Sequence, residues 1–406
     1  MIVWLIVGAY LLLVLGIGVY SARKIRSTSD YLVAGRKLGP FLLAGTLAAT
    51  TIDGGSTLGV VSFTYGKWGA SAIWYGFAMG TALLLVGLLA PRMRKTRVKT
   101  VPEFFRVRYG KTAGLMESLL TIVSLIGLTA GQLKVSASIV EVMLGMDYNT
   151  ALLIVAALTC LYAMIGGMWG VAMTDMLQLF MVLAGMSLAL PFTLRLAGGW
   201  ERVVQGLGSE STSLVAGIGG WGQILGYFLL FFMAYAAGEE VISAFYGAEN
   251  PKAIRRGSIL SSVLVVLFSF VPVMLGMAIR ELYQTDSLTV GVMNALDQSG
   301  RYALPALAVT AMPPLVVGIL SSGILSATMS SADSTLLGTG SVFSNDIYRV
   351  FISPKADGNR TVAAARVFMV LSMVASFLTA IYVGEILSVI VFSLALRAAE
   401  IGRAHV

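Results

Sequence analysis

The sequence predicts an all-α membrane protein that crosses the bilayer many times. Hydrophobic residues make up 57% of its 406 residues and charged residues only 12%, and the mean hydropathy is +0.86. Soluble domains do not reach this composition, because so much apolar surface needs lipid around it. A helix needs about 20 mainly apolar residues to cross the hydrocarbon core, and runs of that kind recur along the whole chain.

Eleven apolar runs are expected to form the membrane helices. Ten have the length of a span and the last is short; in chain order they lie near residues 2–21, 41–64, 70–90, 113–145, 150–169, 171–196, 221–246, 258–280, 305–340, 363–382 and 386–396. The first run has no basic stretch before it and no small-residue cleavage site after it. We therefore expect a retained helix and not a signal peptide.

Lysine and arginine predict the orientation, because they concentrate in cytoplasmic loops. With the N-terminus outside, the inner loops 22–40, 91–112, 247–257 and 341–366 hold five, eight, three and four basic residues, which is 20 of the 28. The net charge of +8 therefore indicates membrane topology and contact with inner-leaflet lipids, not nucleic-acid binding. We expect a multi-pass cell-membrane protein with its N-terminus outside; the sequence does not indicate its oligomeric state.

The second run carries a polar break at mid-membrane depth. In Ala48-Ala-Thr-Thr-Ile-Asp-Gly-Gly-Ser-Thr-Leu-Gly59, Asp53 precedes two adjacent glycines, which disfavour a continuous helix. Broken helices free backbone carbonyls and amides that bind ions and polar solutes in secondary transporters. Close packing of two helices through small residues would give a similar pattern. Asp53 favours the binding site, since a carboxylate inside the membrane is costly and usually functional.

A second polar stretch, Gly323-Ile-Leu-Ser-Ala-Thr-Met-Ser-Ser-Ala-Asp-Ser-Thr335, lies in the ninth run. Ala327, Ser330, Ser331 and Ser334 recur at spacings of three and four, so they share one helix face. Hydroxyl and carbonyl oxygens suit a hard cation that sheds its water. Together with the glycines of this run, the same small residues would equally form a packing stripe, and spacing alone leaves both interpretations open.

Two further polar residues lie in or beside spans. Asp175 follows Thr174 and either has a binding role or simply favours the positive N-terminal end of its helix. Lys134, deep in the fourth run, either snorkels to the interface or faces a substrate anion. The single Cys160 allows no intrachain disulfide. Since the sequence holds neither a metal cluster nor a pairing of nucleophile and base, we expect no enzyme.

Together these motifs resemble the sodium/solute symporter family, whose members transport proline, pantothenate, sugars, sialic acid, iodide and choline. The resemblance covers residues 1 to about 396. Its most specific pieces are Gly166-Gly-Met-Trp-Gly-Val-Ala-Met-Thr-Asp-Met-Leu-Gln178, Met329-Ser-Ser-Ala-Asp-Ser-Thr335 followed by Asn345-Asp-Ile-Tyr348, and Asp30-Tyr-Leu-Val-Ala-Gly-Arg-Lys-Leu-Gly39.

The resemblance implies a fold and a function. The fold is the leucine-transporter type, in which an extra N-terminal helix precedes two inverted five-helix repeats, here 41–196 and 221 onward. The first helix of each repeat, 41–64 and 221–246, would meet at the membrane midplane. The implied function couples inward sodium flow to the uptake of a small polar organic solute by alternating access. The alternative is the transporter-like input domain of a membrane sensor kinase whose cytoplasmic part is missing.

The resemblance also implies site residues, carried over position by position. A first sodium ion (Na+) would be bound by backbone oxygens of Ala49, Ile52 and Ala327 and by the hydroxyls of Ser330 and Ser331. Some members bind a second sodium ion, which here would use Asp175, Asp333 and Ser334. Solute contacts would come from Thr51, Asp53, Ser56, Tyr75, Lys134, Phe232 and Tyr235.

The charges in this implied pocket favour a class of solute. Asp53 and Lys134 would offer one group of each sign, which suits an amino-acid-like, zwitterionic or carboxylate-bearing molecule. The stretch Gly238-Glu-Glu-Val-Ile-Ser-Ala-Phe245 departs from the family, where glutamines and a Gln-Arg pair are common. The identity of the solute therefore cannot be taken from any one relative.

The final residues are expected to be foreign to the protein. Ile401-Gly-Arg-Ala-His-Val406 resembles one reading frame of a common sequencing adapter, so we treat 401–406 as a scar that includes the only histidine. The short run 386–396 then predicts an eleventh helix that is cut off. We expect residues 1–400 to form a transmembrane domain that is incomplete at its C-terminus.

Overall fold

The computed structural model describes residues 1–96, 98–298, 300–383 and 393, and within these ranges the chain is helical and contains no β-strand. The principal helices, in chain order, are α1 (Ile2–Ala22), α2 (Pro40–Thr51), α3 (Ile73–Arg94), α4 (Val101–Tyr109), α5 (Lys111–Leu144), α6 (Tyr148–Leu196), α7 (Trp221–Ala237), α8 (Glu239–Gly247), α9 (Pro251–Phe268), α10 (Phe270–Gln284), α11 (Pro314–Val342) and α12 (Gly358–Tyr382). Shorter α-helices cover Thr28–Val33, Val60–Phe63, Trp200–Gly206, Ser209–Thr212, Val290–Gln298 and Ala303–Ala311.

The ten longer apolar runs all fall on these helices. Among the described residues, seven helical segments are long and apolar enough to cross a membrane, or eight when the bent pair α7 and α8 counts as one span. That number is below ten because some predicted spans are joined in one helical segment and others are interrupted. The protein is a multi-pass membrane protein. The eleventh run, 386–396, lies outside the described residues apart from Ser393.

A kink at Gly167 divides α6 into the two predicted spans. The helix has 49 residues, far more than the roughly 20 that cross one bilayer. At Gly167 the backbone takes φ +51° and ψ −155°, a conformation that side chains rarely adopt. A Cβ there would also lie 2.7 Å from Cδ2 of Tyr31. Glycine is therefore required at this position by both the backbone and its neighbour.

Two helices are broken inside the bundle. α2 ends at Thr51, Ile52 leaves the helical conformation with ψ 81°, and the chain resumes as a π-helical turn over Gly55–Gly59. The predicted break in the second run is thus confirmed. α7 and α8 meet at Gly238 with a bend of 55°. The first helices of both implied repeats are therefore interrupted.

The most enclosed helix is α11. It packs against α1, α2, α5, α6 and α12, and 89% of its most apolar stretch is buried, against 22% for α1. α3, α7 and α9 form a neighbouring group that also contacts α2. Because protein surrounds α11, its polar side chains face other helices and not lipid.

The basic loops contact one another at one end of the bundle, which we call the basic end: Arg94 donates to the Ala248 carbonyl, Thr100 to Asp346, and Thr28 to the Gly358 carbonyl. There the loop before α2 is bonded to the end of α8 through the backbone. The Leu38 amide donates to the Gly247 carbonyl at 3.0 Å, and the Glu249 amide donates to the Leu38 carbonyl at 3.0 Å. These two bonds form an isolated parallel bridge that joins the two broken helices.

Candidate ion and solute site

The end of α2 meets the hydroxyl stripe of α11. The Ser330 hydroxyl donates to the Ala49 carbonyl at 2.9 Å and lies 3.1 Å from the Ala327 carbonyl. The Ser331 hydroxyl donates to the Thr50 carbonyl at 2.9 Å and lies 3.2 Å from the Ala327 carbonyl. All of these groups except Thr50 are buried. Four of the five predicted ligands of the first sodium ion are therefore neighbours. We call the five predicted ligands the first ion group.

Ile52, the fifth predicted ligand, is the residue at which α2 ends. Its ψ of 81° takes its carbonyl out of the helical direction, so this oxygen does not continue the hydrogen-bond ladder of α2. Uncharged carbonyl and hydroxyl oxygens in a buried cluster are suitable ligands for a hard monovalent cation. The residues present thus fit a sodium ion.

The small residues of α11 serve two different faces. Ser330 and Ser331 face α2, as their hydrogen bonds show. Gly323 instead faces α6, where an added Cβ would lie 2.6 Å from the Met181 carbonyl oxygen. Small-residue packing against α6 and the predicted ion ligands therefore lie on different sides of the helix.

The second predicted ion group is a pair of buried acids. Asp175 and Asp333 are both fully buried and interact electrostatically. Asp333 Oδ1 accepts from the Ser334 hydroxyl at 3.4 Å, and Thr46 lies beside Asp175. Within the described ranges neither acid forms an ion pair with a basic side chain. Buried carboxylates of this kind need a cation or a proton.

Asp175 does not act through the helix terminus. It lies eight residues beyond the kink at Gly167, whereas the charge of a helix N-terminus is felt within the first turn. Both of its carboxylate oxygens lack a hydrogen-bond partner in the described part of the chain. Sequence reasoning missed Gln178, one turn later, whose amide is also unpartnered there and which lies near Tyr10 and Tyr162.

A small cavity opens where the break in α2 meets α3, α5, α7, α8 and α11. It is lined by Thr50, Thr51, Asp53, Tyr75, Met79, Leu128, Gln132, Phe231, Tyr235, Glu240, Ser331 and Thr335. Four predicted solute contacts are among them: Thr51, Asp53, Tyr75 and Tyr235. Ser331 belongs both to this cavity and to the first ion group, so the two sites share a wall.

Three predicted solute contacts lie elsewhere. The ammonium of Lys134 donates to the Val383 carbonyl at the end of α12. Gln132, two residues earlier, lines the cavity instead, because two residues correspond to about 200° around a helix. Phe231 lines the cavity and Phe232 does not, because adjacent residues point about 100° apart around a helix.

Ser56 caps the break and does not line the cavity. Its hydroxyl accepts from the Asp53 amide at 2.8 Å, and its own amide donates to Asp53 Oδ1 at 2.8 Å. Gln132 completes the arrangement, since its Nε2 donates to Asp53 Oδ2 and its Oε1 accepts from the Gly54 amide, both at 2.9 Å. These bonds fix the Asp53 carboxylate at the start of the second half-helix.

Aromatic rings form one wall of the cavity. The Tyr75 and Phe231 rings meet edge to face at 5.0 Å, and Phe231 lies 5.8 Å from Tyr235. Tyr227 stacks on Phe231 and continues to Trp68. We call Tyr75, Phe231 and Tyr235 the aromatic wall.

Polar bonds at the basic end join α4, α8 and the π-helical segment Phe343–Ile352 that follows α11. Glu239 accepts from the Val101 amide at 2.7 Å, and the Thr100 hydroxyl donates to Asp346 at 2.6 Å. Asn345 donates to Glu103 at 3.2 Å. We call this network the polar latch. It gives a structural role to the Asn345-Asp346 motif.

Known proteins resemble this chain along most of its length. A sequence profile of the sodium:solute symporter family matches residues 31–403. The sodium/proline symporter of Escherichia coli is 27% identical over 386 residues, which cover 90% of this chain and 74% of the relative. The sodium/pantothenate symporter of Haemophilus influenzae is 27% identical over 356 residues, which cover 84% and 70%.

The fold has a close counterpart among solved structures. A Na+-coupled sialic acid symporter, in a substrate-bound outward-open state, superposes with a TM-score of 0.85 at 21% identity and covers 94% of this chain and 81% of that chain. The predicted fold class, an all-α membrane protein of the leucine-transporter type, is confirmed.

Proposed function

Because the chain belongs to the sodium:solute symporter family, we propose that it uses the ion and solute groups around the α2 break to couple inward sodium flow to the uptake of a small polar organic solute. It is a sodium-coupled transporter and not an enzyme. Ala49, Ile52, Ala327, Ser330 and Ser331 bind the first sodium ion in this proposal.

The observation that carries the proposal is the double position of Ser331. Its hydroxyl bonds the α2 backbone within the first ion group, and its side chain lines the solute cavity. Sodium at this group would bind α2 to α11 and thereby fix one wall of the cavity. The solute then meets a preorganised site, which raises its affinity.

The transport cycle follows from this order of binding. Sodium binds first, the solute binds beside Thr51, Asp53 and Tyr235, and the helix groups rock around the filled site. Each inward positive charge contributes about 2.3 kcal/mol per 100 mV of membrane potential, so one sodium ion is enough to drive accumulation. Asp175, Asp333 and Ser334 bind a second sodium ion in this proposal.

In this proposal the basic loops face the cytoplasm, where lysine and arginine concentrate, and the N-terminus lies outside. The amino-acid-like class of solute depended on Lys134 facing Asp53. Lys134 instead bonds the Val383 carbonyl, so the cavity offers no support for a solute carboxylate at Lys134. Asp53 still supports a solute with a positively charged group.

Binding of ²²Na+ to the purified protein in detergent tests the ion part of the proposal without any solute. We expect unlabelled NaCl to displace the label and KCl to leave it bound. Equal displacement by both salts would contradict sodium coupling. Proteoliposomes with an imposed sodium gradient then test whether a bound solute stimulates ²²Na+ uptake.

A further inference from the structure

On the basis of the sodium-coupled uptake proposed for this cavity, we infer that the solute is an organic cation that carries an amino or ammonium group and no carboxylate. This solute class rests on that proposed function and specifies the occupant of the same site. Three features of the cavity support it: the state of the freed backbone amides, the charges of the lining residues and the aromatic wall.

The freed amides at the helix break are taken by the protein's own groups. In a broken helix, the N-terminus of the second half ordinarily binds the anionic group of a solute. Here the Ser56 amide donates to the Asp53 carboxylate at 2.8 Å, and the Gly54 amide donates to Gln132 at 2.9 Å. The Asp53 carboxylate therefore stands where a solute carboxylate would bind.

The gap around these amides is also filled. A Cβ at Gly54 would lie 2.9 Å from Gln132 Oε1 and 3.1 Å from Cγ2 of Thr328. A Cβ at Gly55 would lie 3.0 Å from the Tyr75 hydroxyl. A carboxylate is larger than a methyl group, so it cannot enter beside the break without displacing these side chains.

The charged residues that line the cavity are both acidic. They are Asp53 and Glu240, and the described lining contains no lysine or arginine. A solute carboxylate would face groups of its own sign in a site with little water to screen them. An ammonium group would face two groups of opposite sign.

The aromatic wall suits the same solute. Tyr75 and Phe231 meet at an interplanar angle of 84°, so a group between them and Tyr235 meets ring faces as well as edges. Ring faces attract ammonium groups, including quaternary ones. Met79 and Leu128 complete the lining with apolar surface that fits a short hydrocarbon body.

Matched pairs of solutes test the absence of the carboxylate directly. The probes are choline against glycine betaine, ethanolamine against glycine, and 1,4-diaminobutane against ornithine. Each pair shares its cationic part and differs in a carboxylate. Thermal stabilisation of the purified protein is titrated with each compound in NaCl and in KCl.

We expect at least one cation to stabilise the protein in NaCl, with an apparent affinity at least about tenfold tighter than that of its carboxylate-bearing partner. Equal or tighter binding of the carboxylate-bearing members would overturn the inference. So would the absence of stabilisation by all three cations.

Two variants test the acidic groups. Asp53→Asn keeps an oxygen that can accept from the Ser56 amide, and Glu240→Gln keeps the shape of the side chain, so either can report if the other does not fold. We expect each to weaken cation binding about tenfold or more. The control is Glu281→Gln, which changes a buried carboxyl group of α10 outside the cavity. Unchanged cation affinity in both folded variants would refute the inference.

The two salts separate this inference from the function on which it rests. Cation binding that is equal in NaCl and KCl would support the solute class and contradict sodium coupling. Sodium-dependent binding that prefers the carboxylate-bearing members would support sodium coupling and overturn the solute class.

Discussion

The Ser331 hydroxyl donates a hydrogen bond to the Thr50 carbonyl at 2.9 Å, and both residues also line the solute cavity. One pair of residues thus joins α2 to α11, and the single side chain of Ser331 belongs both to the proposed ion ligands and to the cavity wall. Energetic coupling between two ligands requires such a shared element whose position both ligands influence.

The double variant Ser330→Ala/Ser331→Ala tests the first ion group. It removes two hydroxyl ligands with little change in volume, so we expect ²²Na+ affinity to fall at least about tenfold. Ser321→Ala is the matched control, because that buried hydroxyl of α11 donates to the Val317 carbonyl of its own helix. Unchanged sodium affinity in the folded double variant would favour a packing role for both serines.

The single variants of these serines are expected to differ at saturating sodium. Ser330 belongs to the first ion group and does not line the cavity. Ser330→Ala should therefore recover the solute affinity of the unaltered protein when the sodium concentration is raised. Ser331 also lines the cavity, so Ser331→Ala should retain a defect of about threefold to tenfold in solute affinity. Full recovery of both variants would show that Ser331 does not contact the solute.

Asp175→Asn tests the second ion group. If this acid binds a further sodium ion, the Hill coefficient for sodium should fall from about 2 to about 1, while solute affinity at saturating sodium changes little. Asp147→Asn, at the exposed start of α6, is the control. A Hill coefficient that does not change would mean that Asp175 binds no coupling ion.

Lys134→Met tests the corrected position of this lysine. Its ammonium bonds the Val383 carbonyl, so we expect solute affinity to stay the same and the free energy of unfolding to fall by about 1–3 kcal/mol. Thermal unfolding and solute titration on the same sample provide both values. A large loss of solute affinity in a stable variant would restore the original assignment to the pocket.

Glu239→Ala tests the polar latch by removing the acceptor of the Val101 amide. A hydrogen bond to a charged acceptor contributes about 1.5 kcal/mol, so the basic end should open about tenfold more often. In a Thr335→Cys/Cys160→Ser background, the introduced thiol should then react faster with an impermeant maleimide added from the basic end. Glu249→Ala, at an exposed position of that end, is the control. Equal reaction rates in Glu239→Ala, Glu249→Ala and the background protein would contradict the latch.

Some features could be predicted from sequence because they depend on neighbouring residues. Asp53 followed by two glycines predicted the break in α2 correctly. The spacing of Ser330, Ser331 and Ser334 predicted a shared helix face, whereas the meeting of that face with α2 was implied by the family resemblance. The second acidic residue of the cavity, Glu240, lies in the stretch that departs from the family pattern, but the departure did not reveal where its side chain would point.

Other features depend on which side of a buried helix faces inward. α5 is largely apolar or small around its circumference over the buried stretch from Leu128 to Val140, so no amphipathic pattern distinguished Gln132 from Lys134. The same limit applies to Phe231 and Phe232 on α7. Tertiary packing alone decides these choices.

The backbone bridge between Leu38 and the end of α8 has a consequence for how the transporter can vary. Its two bonds use amides and carbonyls, so exchanging the side chain of Leu38 or Glu249 for any residue except proline keeps the bonded atoms. Gly247 is different, because an added Cβ would lie 2.9 Å from Cδ1 of Leu38. The segment that leads into α2 and the segment that follows α8 are therefore expected to move together as one rigid unit. Substitutions in the cavity can therefore change solute preference without touching this link, whose one side-chain-sensitive position is Gly247.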